Sequence, residues 1–211
     1  MTDEDIWNSY FYPGTDILKN KLNIKDKNEL KKVEYSLVAK KNTLLFLDRT
    51  KPDTFDINHL KYIHKYLFED IYPFAGELRD VEMGKGFMFC FTKVELIETS
   101  LHEILDNIDE EVIKYSNSKM FYAENLANLY KRLIQIHPFR EGNGRTTREF
   151  LREYVESRNK YFDVDYYLDF NLSEENLNVL EHVPKEEKYG NLTMVFMNIL
   201  KSKEKTNIKK L

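Results

Sequence analysis

His137-Pro138-Phe139-Arg140-Glu141-Gly142-Asn143-Gly144-Arg145-Thr146-Thr147-Arg148 is the stretch on which the reading of this chain turns. It lies between two apolar patterns of helical period. Upstream, Leu126, Ala127, Tyr130, Leu133 and Ile134 recur at helical spacing from about Tyr122 to Ile136. Downstream, a helix resumes around Arg145 with Phe150, Leu151, Tyr154 and Val155 facing inward. The first pattern is apolar on two sides, which predicts a central helix. Pro138 ends that helix, and Phe139 is apolar enough to anchor the loop in the core. The stretch is therefore a loop held between two buried helices.

Its residue types suit a phosphate group. Gly142-Asn143-Gly144 sits directly before a helix, where glycine lets backbone N–H groups approach a ligand and permits positive φ. A helix N-terminus adds unpaired donors and partial positive charge, and together these form an anion nest. Arg145 and Arg148 fall on roughly one side of the new helix and can grip phosphate oxygens bidentately. Glu141 is a lone carboxylate beside this cradle; one carboxylate plus phosphate oxygens and water is a common way to hold Mg²⁺. His137 can take a proton from an attacking hydroxyl at neutral pH. Taken singly, a histidine before proline is a helix end, a Gly-x-Gly is a turn, and two arginines are a solvated face. Their coincidence in one loop is what points to phosphate.

Working outward, the pattern remains helical. Asp26 with Glu29 resembles a capping box, and Leu30, Val33, Leu37, Leu44 and Leu45 mark one face of a long helix to about Leu47. Asp56 caps a helix with Leu60, Ile63, Leu67 and Phe68 on its apolar side. Thr92 with Glu95 reads as another capping box, opening a helix through Leu96, Ile97, Leu101, Ile104, Leu105 and Ile108. Between them, residues 79–91 read as strands. Gly84, Lys85 and Gly86 form the turn of a β-hairpin between Val81-Met83 and Met88–Phe91. An isolated hairpin is marginal, so it leans on the body or acts as a flap. Residues 1–25 read as an aromatic arm, Ser173 and Asn191 as caps of C-terminal helices, and Lys201–Leu211 as a frayed basic tail. Tyr166, Tyr167 and Phe170 read as core packing rather than a base-stacking pocket. The expected division is an arm and helix over 1–49, a core over about 50–160, helices over 165–203 and a tail over 204–211, in one domain.

Composition sets limits on function. Seven Gly and five Pro in 211 residues favour helices over a sandwich. A net charge of −4 does not suggest a nucleic-acid partner. The single cysteine, Cys90, excludes an internal disulfide framework. An acidic start, Thr2-Asp3-Glu4-Asp5, and no bilayer-length apolar run lead us to expect a cytoplasmic protein with no membrane contact.

The central stretch resembles the signature of the Fic (filamentation induced by cAMP) family, H-P-F-x-[D/E]-G-N-G-R-x-x-R. His137, Pro138, Phe139, Glu141, Gly142, Asn143, Gly144, Arg145 and Arg148 match every specified position. Phe74-Ala75-Gly76 with Arg79 is similar to the family's flap region, and Tyr12-Pro13-Gly14-Thr15 to small bacterial members. The resemblance implies an all-α, mainly helical bundle with one β-hairpin flap. It also implies AMP transfer from ATP to a Tyr, Thr or Ser hydroxyl of a target protein. In that reading His137 is the general base, and Glu141 holds Mg²⁺ at the α- and β-phosphates. Gly142, Asn143 and Gly144 line the phosphates, Arg145 neutralises the α/β-phosphates, and Arg148 holds the γ-phosphate. Gly84, Lys85 and Gly86 of the flap would meet the target. Transfer of UMP, phosphocholine or phosphate by the same fold stays open. Gly144 speaks against the kinase-like Doc branch, which usually has lysine there. An inactive binding module is the third reading, and intact His137, Glu141 and Arg148 oppose it.

Many members of the family carry an inhibitory helix with [S/T]-x-x-x-E-[G/N]. Thr99 and Glu103 have the spacing but are followed by Ile104, and Ser36 is followed by Lys40 where glutamate is needed. The resemblance then implies a toxin held in check by a separate small antitoxin that supplies the glutamate.

Overall fold

The computed structural model describes residues 2–205 except 49, 86–88, 115, 117 and 182–189. The chain runs through α1 (Asp3–Ser9), α2 (Lys27–Leu47), α3 (Ile57–Phe68), the strands β1 (Gly84–Lys85) and β2 (Phe89–Cys90), then α4 (Ile97–Leu105) and α5 (Ile108–Val112). It continues through α6 (Lys119–Ile136), α7 (Asn143–Arg158), β3 (Val164–Leu168), α8 (Glu174–Glu181), α9 (Gly190–Ile199) and β4 (Leu200–Glu204). The helical bundle and the flap hairpin are as the sequence leads one to expect.

The helices begin where side chains accept the first orphan N–H groups. Asp26 Oδ1 takes Glu29 N at 2.8 Å for α2, Asp56 Oδ1 takes His59 N at 2.9 Å for α3, and Ser118 Oγ takes Phe121 N at 3.3 Å for α6. α6 buries Tyr122, Ala123, Leu126, Ala127, Leu129, Tyr130, Leu133 and Ile136, so it is central, and α7 buries Phe150, Leu151, Tyr154 and Val155 completely. α3 packs on α7, α7 on α6, and α9 on α6. α3 and α7 are also tied by a buried polar link. His59 Nε2 lies 2.9 Å from Glu153 Oε2, and Lys51 Nζ lies 2.9 Å from Glu153 Oε1. A buried carboxylate is tolerated only when partnered in this way.

Several expectations are corrected. On α2 Leu30, Val38 and Leu45 are buried and Leu37 packs against the core, while Leu44 is exposed, because the long helix touches the body along a narrower stripe than its apolar content suggests. Thr92 does not cap α4: its N–H donates to Gln135 O at 3.2 Å, joining the chain to the end of α6. Val94 N is taken instead by Glu82 Oε1 at 3.0 Å. Ile108 opens α5 rather than extending α4.

Gly84 and Lys85 are strand residues, not the turn: they pair antiparallel with Cys90 and Phe89, and Gly86 lies outside the described residues. Residues 79–82 form no ladder, and Arg79 takes the carbonyl of Val81 with its own guanidinium at 2.8 Å.

The C-terminal region departs most. Residues 165–168 are strand rather than helix, and 200–204 are strand rather than frayed tail. β3 and β4 pair antiparallel from Val164↔Glu204 to Leu168↔Leu200. Buried Leu168 and Leu200 close one end of the ladder, so burial overrides the polar look of Lys201–Glu204. Asn191 lies inside α9 rather than capping it, whereas Ser173 Oγ does take Asn176 N at 3.3 Å. Tyr166 packs edge-on to Tyr122 and Phe162, with centroids 5.4 and 5.2 Å away, as core.

Candidate active site

The loop between α6 and α7 is fixed by its own residues and by α3 beneath it. His137 is the C-cap of α6 in the left-handed region, at φ 51° and ψ 60°. A non-glycine residue held there costs about 1–3 kcal/mol and persists only when its surroundings over-determine it. Arg79 supplies that constraint. Its Nε donates to His137 O at 2.8 Å, its backbone N–H to Pro138 O at 2.8 Å, and its Nη2 to Thr92 O. One buried guanidinium thus joins the end of α6 to both ends of the flap segment.

Asn143 folds its amide back under the loop. Its Oδ1 accepts Phe139 N at 2.8 Å and its Nδ2 donates to Phe139 O at 2.7 Å. The side chain is therefore a brace, and only the backbone, at the first position of α7, is left for the expected contact with phosphate. Phe139 is buried and stacks on His64, with ring centroids 3.9 Å apart and 3° between planes. Gly142 has φ 81°, and an added Cβ would come inside 3.0 Å of the Phe68 ring. Glycine is required there on two counts, conformation and space.

His64 is a site residue the sequence reading missed. Nδ1 accepts Gly76 N at 2.8 Å, so the proton sits on Nε2, which donates to Glu141 O at 3.0 Å. Burial pushes its pKa down to about 4. It is a neutral strut that spans from the Phe74-Ala75-Gly76 turn to the motif. The available signal was an ionisable residue on the apolar face that Leu60, Ile63, Leu67 and Phe68 mark.

The charged groups stand at the rim. Glu141 Oε1 accepts Gly142 N at 2.8 Å and lies 3.3 Å from Arg145 Nη2, and its side chain is 42% exposed. Arg145 also pairs with Glu34 of α2 and lies over Phe68, 4.8 Å from the ring centre. The Tyr72 hydroxyl donates to the other Glu34 oxygen, and burial together with that carboxylate raises its pKa. Glu34 and Tyr72 carried no motif signal, since they reach Arg145 only across the fold. Arg148 folds over Gly144, whose added Cβ would sit 3.4 Å from Arg148 Nη1, and it meets the Tyr130 hydroxyl. Within the loop, Arg140 is buried under the N-terminal arm, its guanidinium 4.5 Å from the centre of Trp7, 5.3 Å from Tyr10 and 5.0 Å from Phe11.

The imidazole of His137 is oriented by the same frame. Nδ1 lies 3.3 Å from Ile134 O; a carbonyl can only accept, so Nδ1 carries a proton, and in the neutral ring the lone pair falls on Nε2. Phe91, just after β2, stacks on this ring at 3.8 Å. The flap base and the histidine are thus in contact. Among the described residues no cluster of three or more His, Cys, Asp and Glu could hold a metal by itself. A single half-exposed carboxylate fits a cation whose remaining ligands come from phosphate and water, not an all-protein cage. No described helix is long and apolar enough to cross a membrane.

Fold and loop together define a helical protein whose glycine- and arginine-bearing loop is set between two central helices beside a histidine and a hairpin. The model of the Fic/DOC family matches residues 54–155. The probable protein adenylyltransferase Fic of Escherichia coli (strain K12) is 32% identical over 145 residues, which cover 68% of this chain and 70% of that protein. The probable protein adenylyltransferase y4lH of Sinorhizobium fredii (strain NBRC 101917 / NGR234) is 35% identical over 146 residues, covering 66% and 71%. The crystal structure of BepC, a VirB-translocated effector protein from Bartonella tribocorum with bound AMPPNP, matches with a TM-score of 0.79 at 25% identity, over 93% of this chain and 98% of that one. The chain belongs to the Fic/DOC family.

Proposed function

We propose that this protein transfers AMP from ATP to a hydroxyl of a target protein. The observation that carries this reading is the pairing of an imidazole, with its lone pair on Nε2, to an anion nest that bears Arg145 and Arg148. Nε2 of His137 takes the proton of the acceptor hydroxyl as its oxygen bonds to the α-phosphorus. The bond from that phosphorus to the bridging oxygen breaks, and pyrophosphate leaves. Such transfers depend mostly on positioning and charge stabilisation, which a braced loop supplies. The backbone of Gly142, Asn143 and Gly144 faces the phosphates, Arg145 the α/β-phosphates and Arg148 the γ-phosphate. Glu141 would hold Mg²⁺, which neutralises phosphate charge when bound. Relatives named as protein adenylyltransferases and an AMPPNP-bound neighbour support the nucleotide and the reaction class.

The flap, through Gly84, Lys85 and Gly86, would take the target segment by strand addition along its edge. A separate antitoxin would place a glutamate on Arg148 and displace the γ-phosphate. Two labelled nucleotides test the transfer reading. With α-labelled ATP, Mg²⁺ and a lysate, label enters protein, and His137→Ala abolishes it. Label arriving only from γ-labelled ATP overturns the reading in favour of phosphate transfer. The antitoxin is tested by copurification: a bound small protein that leaves transfer unchanged refutes it.

A further inference from the structure

We propose that Phe91 is a positioning residue for the base: by stacking on His137 it sets the plane in which Nε2 meets the acceptor hydroxyl, and its π face stabilises the imidazolium that forms there. This rests on the reading of His137 as the base.

The geometry is specific. The two rings are 3.8 Å apart at their centres and 15° from parallel. At 3.3 Å, the Nδ1 bond to Ile134 O is at the weak end for a hydrogen bond. One such bond gives an axis, and a stacked ring gives the plane. Phe91 is itself fixed at two points. Its N–H donates to Met83 O at 3.1 Å, continuing the Gly84↔Cys90 pairing, and the next residue donates to Gln135 O at 3.2 Å on α6. The ring therefore belongs to the flap but rests on the histidine, so a segment bound along the flap is registered directly against the base.

The choice of an aromatic has a chemical reason. In the ground state the imidazole is neutral, and an aliphatic side chain would pack on it equally well. Once Nε2 has taken the proton the ring is a cation, and only a π face attracts it. The stabilisation appears in the transition state and not with bound ATP, so it bears on kcat rather than on KM for the nucleotide.

The experiment compares the full chain with Phe91→Leu, Phe91→Met and Phe91→Tyr. Melting temperature confirms folding, and the two aliphatic variants guard against one of them failing to fold. Transfer from α-labelled ATP is measured as kcat and KM. Phe91→Leu and Phe91→Met are expected to lower kcat about tenfold with KM for ATP within about twofold, while Phe91→Tyr stays within about twofold of the parent in both. Proton NMR gives a readout that needs no activity. The His137 ring protons lie upfield through the ring current in the parent and in Phe91→Tyr, and return to ordinary positions in the aliphatic variants. An unshifted His137 in the parent overturns the inference. So does an aliphatic variant with parental kcat, or Phe91→Tyr falling as far as Phe91→Leu. If His137→Ala keeps full transfer, the reading of the base fails instead; if it abolishes transfer while Phe91→Leu does not, only the role of Phe91 falls.

Discussion

The motif loop and the flap meet at Arg79, yet they are held in opposite ways. The loop is braced from inside by Asn143, from below by His64 and Phe68, and from outside by the aromatic arm around Arg140. Asn143, His64 and Phe68 are buried, so water does not compete for the hydrogen bonds made there, while the partly exposed rings of the arm cover the buried Arg140 guanidinium. The described flap ladder has two register pairs, Gly84↔Cys90 and Lys85↔Phe89, and it is held at the base by Arg79, Thr92, Glu82 and the Phe91 ring on His137. The contrast separates two demands. Phosphate chemistry requires groups fixed to a fraction of an ångström, whereas an edge that pairs with a partner's backbone works through hydrogen bonds of little side-chain specificity.

The comparison can be broken most forcefully at the chemistry. His137→Ala should lower transfer by on the order of 10²–10⁴-fold while the melting temperature stays within a few degrees, because the residue is a cap and not core. A large fall in melting temperature would show that the imidazole is itself one of the loop's braces.

Next in size is Gly142→Ala, which meets both the φ of 81° and the Phe68 ring. Strain and overpacking together should destabilise the chain by about 2–4 kcal/mol in urea unfolding, and transfer should fall with it. A neutral result would mean that α3 yields easily and the loop is not rigid.

His64 makes the same point through pH. Its folded pKa of about 4 lies below the ordinary 6.5, so the unfolded chain binds more protons between those values. Stability from this group is complete above pH 6.5, falls as the pH drops, and is gone below about 4. By linkage the loss is on the order of 3 kcal/mol. His64→Gln should lose this part of the acid sensitivity, read as the difference in unfolding free energy between pH 7 and pH 5.

The smallest effect is expected on the flap side. Glu82→Ala removes a half-exposed acceptor of Val94 N and a 3.9 Å ion pair to Arg79, and should cost about 0.5–1 kcal/mol. If it instead costs as much as Gly142→Ala, the flap base is as rigid as the loop.

Much of the architecture was written in local pattern. The periods over 122–136 and 145–155 predicted α6 and α7, and Asp26, Asp56 and Ser173 marked helix starts that the structure uses. The nine matched positions of the motif marked the family and the loop between α6 and α7, because its glycines and arginines lie close together in sequence. Thr92 looked like a cap and is a tie to α6, and Lys201–Glu204 looked like a tail and is a strand. Both depend on partners far along the chain.

The sequence by itself determined the helical bundle and the loop between its central helices that carries His137, Glu141, Arg145 and Arg148. Local spacing is enough for these, since period, capping and motif all act within a few residues. Only the tertiary structure decided that His64 is a neutral strut, that Asn143 is a brace, that Glu34 and Tyr72 hold Arg145, and that Phe91 covers the His137 ring. These contacts join residues distant in sequence, and a hydrogen bond or a stacked ring exists only once folding has brought its two partners within a few ångströms.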